Sequence, residues 1–159
     1  MSSNSKILSE AQLLEQVKQW KAAGEKIVFT NGCFDVFHYG HLQLLFAAKQ
    51  WGSKLLVALN SDVSVRLLKG EDRPINSEQH RAALLAALTV VDAVVLFSEE
   101  TPEILIQKVI PDVLVKGGDY KPSQIIGADT VIKHGGEVKI VPLEEGFSSS
   151  KILTLLKRN

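Results

Sequence analysis

Short apolar runs recur along the chain at residues 26–30, 55–59, 93–96, 112–115 and 138–141, and stretches with helical spacing of apolar residues lie between them. Leu13, Leu14, Val17 and Trp20 form such a face behind a capping Ser9, and Leu42, Leu44, Leu45, Ala48 and Trp51 form another after the first run. Further helices are predicted over residues 78–88, 101–109 and 148–157, with a partly helical connection over 123–134, while residues 1–8 read as a frayed lead. Strands this short and this apolar, each separated from the next by a helix, fit a parallel sheet covered on both faces and joined by right-handed crossovers. The expectation is one α/β, Rossmann-like domain over residues 1–159: an N-terminal lead and helix to residue 25, then five parallel strands with helices on both faces. Ligands of such sheets sit beyond the carboxyl ends of the strands, where neighbouring crossovers diverge. The polar clusters at residues 31–41, 60–73, 116–121 and 144–150 fall at those ends.

Charge narrows the partners. Eighteen basic side chains balance eighteen acidic ones, so the long-range field of a general nucleic-acid or anionic-membrane binder is missing, and any phosphate recognition must be local. One cysteine excludes an internal disulfide framework and a cysteine-based zinc site. The longest apolar run, residues 90–97, is broken by Asp92 and too short to span a bilayer. No nucleic acid, no membrane and a cytoplasmic location are the expectations.

The densest chemistry follows the first strand: Thr30-Asn31-Gly32-Cys33-Phe34-Asp35-Val36-Phe37-His38-Tyr39-Gly40-His41. Two histidines with a glycine between them open a helix, where main-chain N–H groups and the helix dipole favour an anion. Gly32 and Gly40 let a phosphate approach the backbone. A zinc ion shared by His38 and His41 would need a third ligand, and Cys33 reads more simply as packing beside Phe34. At the fourth strand's exit, Lys116-Gly117-Gly118-Asp119 offers room for a flat ligand and an acceptor for a base amino group or ribose. Gly146-Phe147-Ser148-Ser149-Ser150 makes a second anion cradle at the last helix. Its bland reading, a serine N-cap, is compatible with that role.

The run from Thr30 to His41 resembles the H-x-G-H signature of the nucleotidyltransferase superfamily, in its cytidylyltransferase-like branch, and the likeness continues through residues 56–62, Lys69-Gly70, Arg73-Pro74, Arg81, residues 112–120 and 146–150. Within that branch the chain looks most like the adenylyltransferases acting on D-glycero-β-D-manno-heptose 1-phosphate, found alone or fused to a sugar kinase. The resemblance implies ATP and a sugar phosphate as substrates, ADP-heptose and pyrophosphate as products, and a place in surface-glycan synthesis. It implies His38, His41 and Lys69 as catalytic residues on the phosphates. Asn31, Gly32, Cys33, Phe34, Gly40, Lys116, Gly117, Asp119, Phe147, Ser148 and Ser149 would line the nucleotide, and Asp35, Arg73 and Arg81 the acceptor. Mg²⁺ is expected on the nucleotide phosphates with no protein metal ligand, as is usual for this ion. A homodimer is expected, with the N-terminal helix around Trp20 as a candidate contact.

Two rivals remain. Glycerol-3-phosphate cytidylyltransferases resemble this chain but carry an arginine at the final turn, where Leu143-Glu144-Glu145-Gly146-Phe147-Ser148-Ser149 has none, and lack the lysine of Lys116-Gly117-Gly118-Asp119. A nucleotide-binding regulatory module would keep the fold without turnover, a reading opposed by the presence of both His38 and His41.

Overall fold

The structure is a computed structural model that describes residues 3–142 and 148–156. A 3-10 turn (Ser3–Lys6) leads into β1 (Ile7–Leu8), α1 (Glu10–Ala22), β2 (Ile27–Gly32), α2 (Tyr39–Lys49), β3 (Lys54–Asn60), α3 (Asp62–Lys69) and α4 (Glu78–Ala87). There follow β4 (Ala93–Phe97), α5 (Glu103–Val109), β5 (Val113–Gly117), a 3-10 turn (Pro122–Gln124), α6 (Ala128–Lys133), β6 (Glu137–Val141) and α7 (Ser149–Leu156). All strands are parallel, in the order β1-β4-β3-β2-β5-β6.

The two-residue period of a strand divides the core into two layers. Ile27, Phe29, Leu56, Ala58, Val95 and Leu114 face Leu13, Val17 and Trp20 of α1 and Leu105, Ile106 and Val109 of α5. Val28, Leu55, Val57, Val94, Val113 and Val115 face Leu44, Leu45 and Ala48 of α2 and Ala82, Leu85 and Ala86 of α4. Strand residues from Leu55 to Leu59 are fully buried, each contributing roughly 1.5–3 kcal/mol where the side chain is a leucine or valine.

The predicted five strands correspond to β2 through β6. The sheet has a sixth, β1, in the segment expected to fray: Ile7 pairs with Val94 and Leu8 with Val95 at the edge. A two-residue strand has no periodicity to detect. Residues 62–69, part of the polar cluster at 60–73 for which no helix is predicted, form α3. Ser61 caps it by accepting from the Ser64 N–H at 3.3 Å, and Gly70 ends it at φ +99°. Its Val63, Leu67 and Leu68 are exposed, so no buried stripe announces it. Trp20, the expected dimer contact, is 9% exposed and belongs to the core. No helix among the described residues is long and apolar enough to cross a membrane.

Two aspartates fix where central strands begin. The Ile27 N–H donates to Asp112 Oδ2 at 2.7 Å while the Asp112 N–H donates to the Ile27 carbonyl at 2.9 Å. Asp92 repeats the device on β3, taking the Leu55 N–H at 2.7 Å and the Lys49 ammonium at 2.5 Å. Asp112→Ala would leave the Ile27 N–H without its acceptor, and a loss of about 1–3 kcal/mol is expected. Urea denaturation at neutral pH measures it, with catalytic parameters unchanged because the site lies at the opposite end of the strand.

Candidate active site

From β2 the chain steps to β3 and β4 on one side, then crosses back to β5 and β6 on the other. The crossovers therefore diverge between the carboxyl ends of β2 and β5, which is where a doubly wound sheet opens a crevice. Asn31 and Gly32 end β2, and Lys116 and Gly117 end β5. A cavity of about 250 Å³ lies there, walled by those four residues and by Cys33, Phe34, Asp35, His38, His41, Lys69 and the serines 148–150. A second cavity of about 470 Å³ shares Asn31, Gly32, Cys33, Lys69, Lys116 and Gly117 with the first and extends to Asn60, Glu100, Thr101 and Tyr120. The two are lobes of one groove, with both lysines on the wall they share.

The histidine pair is built by the first turn of α2. His38 is the N-cap and His41 the third helical residue. The His38 backbone N–H donates to His41 Nδ1 at 3.4 Å, a bond that leaves the His41 ring proton on Nε2 when the imidazole is neutral. The two rings stack 3.8 Å apart at 21°, and Phe34 and Phe37 close around His41 with centroids 5.1 and 5.4 Å away. Burial pushes the His41 pKa down to about 3, helped by the neighbouring His38 and Lys69 charges and opposed by Asp35. Burial, then Lys69, lowers His38 as well. Both rings are neutral at pH 7 and offer hydrogen bonds rather than charge. Stacked rings do not converge on one ion, and among the described residues no group of three or more His, Cys, Asp or Glu is placed to hold a metal.

Cationic charge comes from the lysines. Lys69, expected on a loop, is the last residue of α3 and reaches both lobes. Lys116 is largely buried, and burial holds its ammonium below the usual lysine range. The serines at the start of α7 complete the first lobe. The Ser149 hydroxyl donates to the Asp35 carbonyl at 2.6 Å, anchoring α7 to the loop after β2.

That loop is strained. Phe34 and Val36 have φ of +47° and +51°, a left-handed conformation that a β-branched residue avoids and that costs of order 1–3 kcal/mol per residue. Gly32 makes room for the turn, since a Cβ there would sit 3.1 Å from the Phe34 ring.

Three residues expected on the acceptor are engaged inside the protein instead. Arg81 is 3% exposed. Its Nη1 donates to the carbonyls of Cys33 at 2.6 Å and Asn60 at 2.9 Å, its Nε to the Asn76 carbonyl at 3.0 Å and its Nη2 to Asp62 Oδ1 at 2.8 Å. Four of the five guanidinium N–H groups are thereby used to tie four segments together. Asp35 is buried, with Arg73 Nε and the Ile75 N–H both at 2.8 Å on Oδ2, and the Asn76 and Val36 N–H groups at 3.0 and 3.1 Å on Oδ1. Arg73 is buried with it, and its Nη2 has no partner among the described residues. Asp119 is exposed, outside both lobes. Gly40 is buried in the first turn of α2. Phe147 lies outside the described residues. Sequence reasoning did not single out Glu100 or Thr101, although both lie between β4 and α5 at the crevice end of the sheet.

The depressed His41 pKa has a thermodynamic consequence. In the unfolded chain an ordinary imidazole binds its proton near pH 6.5, whereas in the fold it does so near about pH 3. The unfolded state therefore holds more protons across that window, so stability is complete above it and is lost as pH falls towards the folded value. His41→Gln is expected to flatten the stability–pH profile from roughly pH 4.5 upward to neutrality, by up to about 1.4 kcal/mol per pH unit, the value for one proton. Urea melts across that range check the slope.

Comparison with known proteins agrees with this geometry. The chain is 57% identical over 147 residues to the bifunctional protein HldE of Coxiella burnetii, covering 92% of this chain and 31% of that protein. It is 52% identical over 151 residues to HldE of Haemophilus influenzae, covering 95% and 32%. The chain thus spans less than a third of the length of these relatives. The crystal structure of the lipopolysaccharide core biosynthesis protein from Thermoplasma volcanium superposes with a TM-score of 0.63 at 30% identity, over 76% of this chain and 98% of that one. With the H-x-G-H turn placed at the switch point of the sheet, and residues 29–154 matching the family as a whole, the chain belongs to the cytidylyltransferase-like family.

Proposed function

We propose that the chain transfers the adenylyl group of ATP to a sugar 1-phosphate, D-glycero-β-D-manno-heptose 1-phosphate, giving ADP-heptose and pyrophosphate. The observation that carries the nucleotidyl-transfer reading is the stacked pair of neutral imidazoles facing a two-lobed groove whose shared wall holds Lys69 and Lys116. The relatives named HldE, the lipopolysaccharide neighbour and the sequence features around Lys116 and residues 143–149 support the choice of nucleotide and acceptor.

The reaction joins an acceptor phosphate oxygen to the α-phosphorus and releases pyrophosphate in line. Nothing covalent is asked of the protein, which must align the two phosphates and stabilise the charge that develops between them. The first lobe takes the triphosphate: His38, His41 and Ser148 supply hydrogen bonds, with the His41 Nε2–H donating to a phosphate oxygen, while the Ser149 hydroxyl stays on the Asp35 carbonyl. The acceptor occupies the second lobe, where Asn60, Glu100 and Thr101 offer polar partners for a hydroxylated sugar. The transferred phosphoryl group then sits at the shared wall, between Lys69 and Lys116. An acceptor phosphate monoester is already largely dianionic at neutral pH, its second pKa being about 6, so no general base is needed. Mg²⁺ belongs to this reading as a companion of the nucleotide. The polar side chains at the triphosphate lobe include imidazoles, ammonium groups and hydroxyls, and its one carboxylate among the described residues, Asp35, is already surrounded by N–H donors. They fit a nucleotide that brings its own cation to balance its charge.

His38→Ala and His41→Ala are each expected to lower turnover by about 100-fold or more while leaving the circular dichroism spectrum intact, the scale for losing one preorganised charge-stabilising group. Pyrophosphate release measures it, and a folded double variant with near-normal turnover would rule the mechanism out. Specificity is tested by kcat/KM for ATP and CTP, each with heptose 1-phosphate and glycerol 3-phosphate. Preference for ATP with the heptose by about 100-fold is expected, since a site that hydrogen-bonds one base leaves polar groups unpaired with another. CTP with glycerol 3-phosphate as the best pair would move the chain to the other branch, and tight nucleotide binding without pyrophosphate release would make it a binding module.

A further inference from the structure

We propose that Asp35 is a positioning residue: its buried carboxylate fastens residues 73–76 to the strained turn at residues 33–36 and so holds the Phe34 ring against His41. The inference rests on the reading of His41 as a group that serves nucleotidyl transfer.

Asp35 borders the first lobe, which makes it look like a ligand-binding carboxylate. Its occupancy argues otherwise. A carboxylate has about four acceptor positions, and here each oxygen already takes two N–H donors, three of the four from residues 73–76. At 1% exposure no water competes for them. Burial alone would raise this carboxyl group's pKa; the Asn76 and Ile75 N–H groups and the Arg73 guanidinium outweigh it and hold the pKa below the usual range. The anion is thus stabilised from within the protein, before any ligand binds.

The turn needs such an anchor. Phe34 and Val36, on either side of Asp35, both occupy the left-handed region, and neither residue type chooses it in a free chain. The turn is restrained from three directions: Arg81 holds the Cys33 carbonyl, Ser149 holds the Asp35 carbonyl, and residues 73–76 hold the Asp35 side chain. Of these, the side-chain contact is the one that involves ionic charge on both partners. What the turn presents to the site is Phe34, 5.1 Å from the His41 ring, and that ring must keep Nδ1 on the His38 N–H for Nε2 to carry its proton outward. The fastened segment is joined to Lys69 by the turn Gly70-Glu71-Asp72, which the Arg73 N–H closes on the Gly70 carbonyl at 3.1 Å. Asp35 therefore links the lysine side of the groove to the histidine side through the backbone.

The test uses Asp35→Asn, with Arg73→Lys as a second variant that keeps the cation but not the Nε–H geometry. Imidazole ¹⁵N–¹H spectra of the substrate-free protein read the His41 tautomer, and steady-state kinetics read kcat and KM separately. The wild-type protein is expected to show a single Nε2–H pattern for His41. In Asp35→Asn that pattern is expected to give way to mixed tautomers, with kcat lowered about tenfold or more, as misplacement of an aligning group does, and KM for both substrates nearly unchanged. Arg73→Lys is expected to shift both readouts in the same direction by a smaller factor, and it carries the test alone if Asp35→Asn does not fold. An unaltered His41 pattern in a folded variant overturns the proposal whatever happens to the rate. A raised KM for the sugar phosphate with unchanged kcat also overturns it, and returns Asp35 to the acceptor. Should the wild-type protein release no pyrophosphate with any substrate pair, the functional reading fails, while the spectra still decide whether Asp35 positions His41.

Discussion

β2 runs through the middle of the sheet, paired with β3 on one side and β5 on the other, and the chain leaves it in one direction and returns in the other. Everything functional depends on that divergence. Had β5 been added beyond β4, the crossovers would cover the end of β2 and no groove would open. Because they part there, four residues at two strand ends, Asn31, Gly32, Lys116 and Gly117, line both lobes. The apolar alternation that drives the strands together thus also fixes the register of the polar residues that follow them. The aspartates at the opposite end, Asp112 and Asp92, secure that register by binding the N–H groups of Ile27, the first residue of β2, and Leu55, the second of β3.

The electrostatics explain how a chain with no net charge can address a polyanion. The groove gathers Lys69 and Lys116, the two imidazoles and the opening turns of α2 and α7, while Asp35 and Asp62 are paired to Arg73 and Arg81. Each buried ion pair serves as a tie between segments, its charges largely cancelled. Replacing Arg81 would take donors from three carbonyls and the Asp62 carboxylate, and replacing Arg73 would leave the buried Asp35 carboxylate without its counter-charge, which is why such arginines matter more as scaffolding than a surface arginine would. Keeping the imidazoles neutral follows from the same crowding: burial and the adjacent ammonium of Lys69 both disfavour a second positive charge.

The fold was legible where periodicity is strong. β2 to β6 and the main helices announce themselves by apolar spacing, and the capping Ser9, which accepts the Gln12 N–H at 3.3 Å while Gln12 accepts the Ser9 N–H at 2.9 Å, is visible as a serine three residues before a glutamine. β1 and α3 were not, because one is too short to show a period and the other leaves its leucines exposed; Ser61 and Gly70, a cap and a stop eight residues of helix apart, were the available signal. In the site, placement that depends on local backbone, such as His38 and His41 opening α2 and Gly32 at the end of β2, could be read from residue order. Residues whose role depends on long-range partners could not. Arg81 and Asp35 carry charge beside a phosphate-binding motif and so look like ligand contacts, yet their partners lie up to 48 residues away in the chain, and only the fold shows that their hydrogen-bonding capacity is spent.

Lys116 shows how the same fold separates scaffold from function. Among the described residues it has no carboxylate in ion-pair range, although burial lowers its pKa and so makes its charge costly in the free protein. Arg73 and Arg81, more deeply buried than Lys116, are compensated by aspartates. A cation left uncompensated at the junction of two lobes gains most from an anion that arrives there, since that anion restores the stability which desolvation removed. The contrast separates two arginines whose charge is met within the protein from a half-buried lysine in the groove wall whose ammonium has no carboxylate partner among the described residues.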